Sequence, residues 1–211
     1  MAVPLVALIT GGSAGLGAAA ARLFARDGMR VVVNYNNNAE RAQSLVNELY
    51  TVSNLARDDQ RPNFHAIKAD VAKRADIQRL VEESVSAMGR LDVVFSNHGW
   101  TRFRDITNLD DNLNEEDWDI CFNMNVKSHL WLMHAAKKHL DQTEGAFITT
   151  ASLAGVKSSG SSLVSFDPHL PCDGASRWPG KLTIHRLILS PKPLRFTSPK
   201  GWRSLPRPIS G

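Results

Sequence analysis

Short apolar runs alternate along this chain with longer stretches whose apolar residues recur every three to four positions. The runs at residues 6–10, 30–35, 64–68, 91–96 and 146–150 have strand length, and Val31-Val32-Val33 and Val93-Val94-Phe95 show no polar alternation. Unbroken runs of that kind suit strands covered on both faces. Between them, residues 15–26, 39–51, 75–88 and 115–140 carry helical periodicity. The last helix opens with Asn114 as a cap and with Glu115, Glu116 and Asp117 in its first turn, where the helix dipole favours negative charge. Strands alternating with helices predict βαβ units. The expected fold is α/β, a doubly wound parallel sheet with helices on both faces, truncated after the fifth strand.

The pattern stops near Ser162. Eight of the ten prolines lie beyond it, spaced so that no long helix can form, and residues 187–189 could make one short strand at most. Two segments are therefore expected: residues 1–163 as the α/β domain and residues 164–211 as an irregular, disordered or non-native tail.

Charge follows the same division. The formal charge of +4 comes from 25 basic and 21 acidic residues. Residues 164–211 hold 8 basic and 2 acidic side chains, or +6, which leaves 17 basic and 19 acidic, or −2, for the rest. A globally basic surface for nucleic acid is thus not indicated. Cys121 and Cys172 have no metal-ligand spacing, and no metal is expected. No apolar stretch approaches the roughly 20 residues of a membrane helix, and no charged leader precedes the first apolar run. A reduced, cytoplasmic setting is expected.

The chemistry begins where the first strand meets the first helix, at Thr10-Gly11-Gly12-Ser13-Ala14-Gly15-Leu16-Gly17. A glycine-rich turn there lets backbone amides and the helix dipole meet a pyrophosphate. Gly11 permits the tight turn, Gly15 the close approach of a ligand, and Gly17 the close approach of helix to strand. The form Thr10-Gly11-xxx-Gly15-x-Gly17 resembles the short-chain dehydrogenase/reductase family, and further elements follow in that family's order over about residues 5–163. Asp70-Val71 after the third strand is similar to its adenine-contacting pair. Asn97-His98-Gly99 stands where the family usually has Asn-Ala-Gly on the nicotinamide side; His98 departs from the pattern and reads as a bystander. Asn125, in Met124-Asn125-Val126-Lys127, is similar to the helix asparagine that holds a water for proton relay. Ser152, in Ala151-Ser152-Leu153-Ala154-Gly155, is similar to the serine that orients the substrate carbonyl. The resemblance implies a Rossmann-type sheet, a nicotinamide cofactor held by Thr10, Gly11, Ser13, Gly15, Leu16, Gly17, Asn34, Asn36, Asp70, Val71, Asn97 and Gly99, and a small carbonyl or alcohol as substrate.

Cofactor choice is read at the end of the second strand, where a carboxylate would hold a ribose 2′-hydroxyl and repel a 2′-phosphate. Residues 34–38 are Asn34-Tyr35-Asn36-Asn37-Asn38, with Arg41 nearby and no carboxylate before Glu40. NADP is favoured, with NAD possible. Trp100, Thr101 and Phe103 could line a substrate wall.

One part of the resemblance is broken. The family's proton donor is a tyrosine thirteen positions after the serine, with a lysine four further on that lowers its pKa, because a phenol at its ordinary value of about 10 is a poor acid–base catalyst at neutral pH. This chain has Ser165 and His169 there, and its only tyrosines are Tyr35 and Tyr50. The genetic code offers a reason. Residues 186–203, written in permitted codons and read two bases later, give Ala-Tyr-Ser-Val-Thr-Lys-Ala-Ala-Gln-Ile-His-Phe-Thr-Lys-Gly-Leu-Ala. Val164-Ser165 can be GTG AGT, a splice donor; Leu182-Thr183 can be CTA ACA, resembling a branch point; and Arg186 as AGG supplies the acceptor. The intervening 22 codons and two bases come to about 68 bases, which is not a multiple of three. Joining Leu163 to the shifted frame puts the tyrosine thirteen residues after Ser152, so the tail reads as a retained intron followed by a frameshift.

The expected activity is therefore that of an NAD(P)(H)-dependent oxidoreductase, with this translated form inactive. The alternatives are a catalytically dead NADP-binding sensor or partner protein, and an anion-binding protein using the basic tail with Trp178 and Trp202 as stacking groups. A homo-oligomer is expected of the complete family member and is doubtful here. Loss of the tyrosine helix is expected to expose Val93, Phe95, Phe147 and the Trp131-Leu132 region.

Overall fold

The computed structural model describes residues 3–56, 61–152 and the strand Thr183–Leu187. In chain order the elements are β1 (Val6–Ile9), α1 (Gly15–Arg26), β2 (Arg30–Tyr35), α2 (Ala39–Val52), β3 (Phe64–Lys68), α3 (Arg74–Met88), β4 (Val93–Ser96), α4 (Glu115–Phe122), α5 (Ser128–Thr143), β5 (Ala146–Thr150) and β6 (Thr183–Leu187). The five expected strands and their helices are all present. All strand pairs are parallel, in the order β3-β2-β1-β4-β5-β6. β6 extends the outer edge of β5 from Ala146↔Thr183 to Thr150↔Leu187. The short strand thus lies earlier than residues 187–189 and meets that stretch only at Leu187. The rest of the expected tail lies outside the described residues.

Period-two alternation within the strands divides the core in two. Val6, Leu8, Val32, Val94 and Phe147 face α3 and α5, packing with Leu80, Val81, Leu132, Ala136 and Leu140. Ile9, Val31, Val33, Phe64 and Phe95 face α1 and α2, packing with Ala18, Ala21, Leu45 and Leu49. All four residues of β1 are fully buried, as the central strand of a sheet covered on both faces requires. The expected exposure of Phe95, Phe147 and Leu132 is not found. They are 3%, 2% and 0% exposed, because the two clusters already cover them, while Val93 and Trp131 are half-buried.

The predicted helix at residues 115–140 is interrupted. Asn114 caps it as expected, its side chain accepting from the Asp117 N–H at 3.0 Å. Residues Asn123–Lys127 then form a π-helical turn before α5 begins. One residue inserted into a helix shifts every later side chain by about 100° around the axis. Such turns collect at functional sites, and this one carries Asn125. No helix among the described residues is long and apolar enough to cross a membrane.

Candidate nucleotide and catalytic site

The site residues gather at the carboxyl ends of the strands, where the strand order reverses around β1; crevices of open α/β sheets form there. Thr10, the residue after β1, is fully buried. Its Oγ1 accepts from the Asn97 N–H at 3.0 Å, and its own N–H donates to the Phe95 carbonyl at 3.0 Å. The turn that follows is shaped by its glycines. Gly11 and Gly15 have φ of +57° and +50°, a region that favours glycine. A Cβ on Gly17 would lie 2.5 Å from the Gly11 carbonyl oxygen and 2.9 Å from Asn97 Nδ2. A Cβ on Gly15 would meet nothing within 4 Å, so that face of the turn is open. Ser13 is buried and Leu16 half-buried.

The sharp contact at Gly17 makes Gly17→Ala a direct test of the turn. Overpacking of this kind costs about 1–3 kcal/mol, because the nearest atom, the Gly11 carbonyl oxygen, is backbone and cannot swing away. Urea denaturation of the variant should show that loss together with weakened nucleotide binding. An unchanged midpoint would mean that the turn can open.

The start of α1 is equally distinctive. Its cap, Ala14, makes no side-chain hydrogen bond, and its first turn has no acidic residue. By contrast, α2 has Asn38 accepting from the Arg41 N–H at 2.7 Å and Glu40 in its first turn, and α4 has Asn114 with three acidic residues. The amides of α1 are thus left without an internal anion or cap, beside an open glycine turn.

Asn34, expected to face the cofactor ribose, does something else. It is 2% exposed. Its Oδ1 accepts from the Gly11 N–H at 3.3 Å and its Nδ2 donates to the Ala69 carbonyl at 3.0 Å, while its own carbonyl accepts from Gly12 N–H at 2.9 Å. It ties the turn to the end of β3 and has no polar group left for a ribose. Asn36 and Arg41, two and seven residues past it, are both exposed. Asp70 stands at the end of β3 with Oδ1 accepting from the Ala72 N–H at 3.0 Å, while Val71 is buried beside it.

Asn97 latches three strands together. Its Nδ2 donates to the Thr10 carbonyl at 3.3 Å and its Oδ1 accepts from Thr150 Oγ1 at 3.1 Å. Ser152 is exposed two residues beyond that Thr150, so the serine follows directly from a strand end fixed to the Asn97 turn. Positions 165 and 169 lie outside the described residues.

Asn125 is brought to the same edge by the π turn. Its Oδ1 accepts from the Trp100 N–H at 2.8 Å and its Nδ2 donates to the Trp100 carbonyl at 2.8 Å and to Cys121 Sγ at 3.1 Å. Gly99 sits against it, with a Cβ there meeting Asn125 Oδ1 at 3.4 Å. Burial raises the pKa of the Cys121 thiol, partly offset by the Asn125 amide. Beyond Trp100 the chain is clamped by arginines: Arg104 Nε and Arg102 lie 2.9 and 2.8 Å from the buried Asp117 carboxylate. Trp100 is half-buried, and Thr101 and Phe103 are exposed.

Sequence reasoning passed over His98 and His129. His98 Nδ1 lies 2.8 Å from Thr10 Oγ1 and its Nε2 lies 2.6 Å from Ser128 Oγ. His129 Nδ1 pairs with Ser96 Oγ at 2.6 Å, and the two rings stack with centroids 4.3 Å apart. Burial, and secondarily the neighbouring His129, pushes the pKa of His98 down to about 3; burial pushes that of His129 to about 4. Both are neutral at physiological pH. The only signal in the sequence was the departure of His98 from the Asn-Ala-Gly pattern. Among the described residues, no group of three or more His, Cys, Asp or Glu could hold a metal ion.

Comparison with known proteins agrees with this geometry. The short chain dehydrogenase family profile matches residues 5–164. A hydroxynaphthalene reductase-like protein of Metarhizium guizhouense is 35% identical over 149 residues, 71% of this chain and 51% of that protein. A short-chain dehydrogenase/reductase of Pestalotiopsis microspora is 36% identical over 137 residues, 65% of this chain and 47% of its own length. The chain spans about half the length of the curated relatives it matches. Among solved structures, a short chain dehydrogenase from Burkholderia cenocepacia in complex with NADP aligns at TM-score 0.63 and 33% identity, over 74% of this chain and 58% of that one. The NADH-dependent reductase A1-R′ complexed with NAD aligns at TM-score 0.67 and 27% identity, over 77% and 66%. With the family profile covering the glycine turn, the Asn97 latch, Asn125 and Ser152 in one continuous match, the chain belongs to the short chain dehydrogenase family.

Proposed function

We propose that residues 1–163 form the nucleotide-binding and substrate-orienting part of an NADP(H)-dependent oxidoreductase for a small carbonyl or alcohol, and that residues 164–211 are a mistranslated tail. The observation that carries the nucleotide reading is the uncapped, acid-free start of α1 beside the open Gly15 turn. An anionic pyrophosphate is the ligand that those amides suit. The preference for NADP over NAD rests on the exposed Asn36 and Arg41 and on the lack of a carboxylate before Glu40. A 2′-phosphate meets no repelling charge there.

When bound, the nicotinamide would supply or accept a hydride. The other tasks belong to the chain. Thr10, Gly11, Gly15 and Gly17 form the phosphate turn, with Ser13 and Leu16 inside it. Asp70 and Val71 stand where the adenine would lie, and Asn97 and Gly99 hold the turn on the nicotinamide side. Ser152 would polarise the substrate carbonyl. Asn125 serves as a positioning residue, because its amide is already committed to Trp100. No group of the described chain replaces the missing tyrosine, so the 211-residue form would bind cofactor without appreciable turnover.

Fluorescence titration of the purified chain tests this. NADPH should bind, and NADH should bind at least about fivefold more weakly, the equivalent of about 1 kcal/mol. Failure to bind either nucleotide would overturn the reading. Sequencing the transcript across Leu163 and Leu187 tests the tail, since removal of the roughly 68-base segment in the mature message is expected. A message that always retains it would instead support a nucleotide-binding partner protein.

A further inference from the structure

Position 98 holds a histidine with a complete set of partners, and the hydroxyls around it fix the direction of every bond. Ser128 Oγ donates to the Met124 carbonyl at 2.5 Å. Its single proton is spent there, so at 2.6 Å it accepts from His98 Nε2–H. A neutral imidazole carrying its proton on Nε2 leaves Nδ1 as an acceptor. Thr10 Oγ1–H fills it at 2.8 Å in preference to the Phe95 carbonyl at 3.4 Å, and Thr10 Oγ1 itself accepts from the Asn97 N–H at 3.0 Å. One directed chain of hydrogen bonds thus runs from the Asn97 amide through Thr10, His98 and Ser128 to a carbonyl of the π turn, one residue before Asn125.

Both ends of that chain are functional elements, and its middle is sealed. Ser128 is 0% exposed and His98 8%. His129 stacks on His98 from α5, and among the described residues it is the only titratable group whose charge acts on His98. We propose that His98 is a positioning residue that locks the glycine turn after β1 to the π turn carrying Asn125, so that nucleotide affinity depends on Ser128, a residue buried away from any ligand. The dependence is reciprocal: a nucleotide that orders the turn also orders the π turn. This rests on the nucleotide reading above.

NADPH affinity by fluorescence titration and amide hydrogen exchange of the apo full chain test it, using wild type, His98→Ala, His98→Gln and Ser128→Ala. One lost hydrogen bond corresponds to about a five- to tenfold effect, so His98→Ala and Ser128→Ala should each weaken NADPH binding by about that much and speed exchange in residues 123–127. His98→Gln should restore both to within about twofold, because a carboxamide accepts with its oxygen and donates with its nitrogen. Ser128→Ala with unchanged NADPH affinity, or His98→Gln no better than His98→Ala, would overturn the coupling. If wild type does not bind NADPH, the functional reading fails while the exchange experiment still decides the lock. Faster exchange at 123–127 in apo His98→Ala supports it, and unchanged exchange overturns it.

Discussion

A version of this chain in which Leu163 passes directly into Ala-Tyr-Ser-Val-Thr-Lys and the rest of the shifted frame is expected to oxidise NADPH with a carbonyl substrate at least about 10²-fold faster than the 211-residue form. The magnitude follows from what is missing. Reduction of a carbonyl leaves an alkoxide that must be protonated, and a positioned general acid contributes about 10²–10⁴ to such a step. On the function proposed above, Ser152 would orient the carbonyl but could not supply that proton at neutral pH. A tyrosine thirteen residues later, with a lysine one helical turn beyond it, supplies the proton and the nearby cation that lowers its pKa. Loss of the gained activity when that tyrosine is replaced by phenylalanine is the control. The idea sinks if the restored chain is no faster. It also sinks if the 211-residue form already turns over at ordinary enzyme rates, about 1–10³ s⁻¹.

Acid should destabilise the protein at pH values above those where its carboxylates titrate. His98 and His129 are held neutral in the fold, at about 3 and about 4, whereas in the unfolded chain a histidine takes up a proton near its ordinary value of about 6.5. Between those values the unfolded state binds more protons, so stability is full above about pH 6.5 and is lost progressively as pH falls. Each histidine accounts for about 1.4 kcal/mol per pH unit. Together they remove about 3–4 kcal/mol by pH 5, a large share of a typical folding free energy of about 5–15 kcal/mol. The carboxylates of Glu48, Asp76 and Asp105 are depressed by hydrogen bonds to Arg22, the Asp70 amide and Thr107 respectively, so they stay charged through this window and do not mask it. Urea melts at pH 7.5, 6 and 5 measure the slope. His98→Gln should roughly halve it, and a wild-type stability flat from pH 7.5 to 5 would contradict the argument.

The strands were legible because burial on two faces leaves an uninterrupted apolar signature that few other environments demand, as Val31-Val32-Val33 shows. The glycine turn was legible because backbone geometry admits almost no other residue at Gly11, Gly15 and Gly17. What could not be read depends on geometry at single positions. The π turn at Asn123–Lys127 adds one residue to a helical repeat, a shift hidden within the periodicity of residues 115–140. Asn34 was assigned to the ribose by its place at the end of β2, but side chains alternate along a strand, and its own points inward between Gly11 and Ala69. The expected exposure of Phe95 and Phe147 overlooked that α5 already packs on β4 and β5 and that Phe95 shares a buried cluster with Ile9, Val31 and Val33. His98 read as a bystander because its partners, Thr10 and Ser128, are 88 and 30 residues away.

The strand order has a consequence for how an error in the message is received by the cell. The sheet grows outward from β1, first through β2 and β3, then through β4 and β5, and each of these strands docks on one already synthesised. A reading-frame fault after Leu163 therefore arrives when the inner sheet and the phosphate turn are complete. On the function proposed above, the product of a faulty transcript would keep its phosphate turn and inner strands while losing its proton donor.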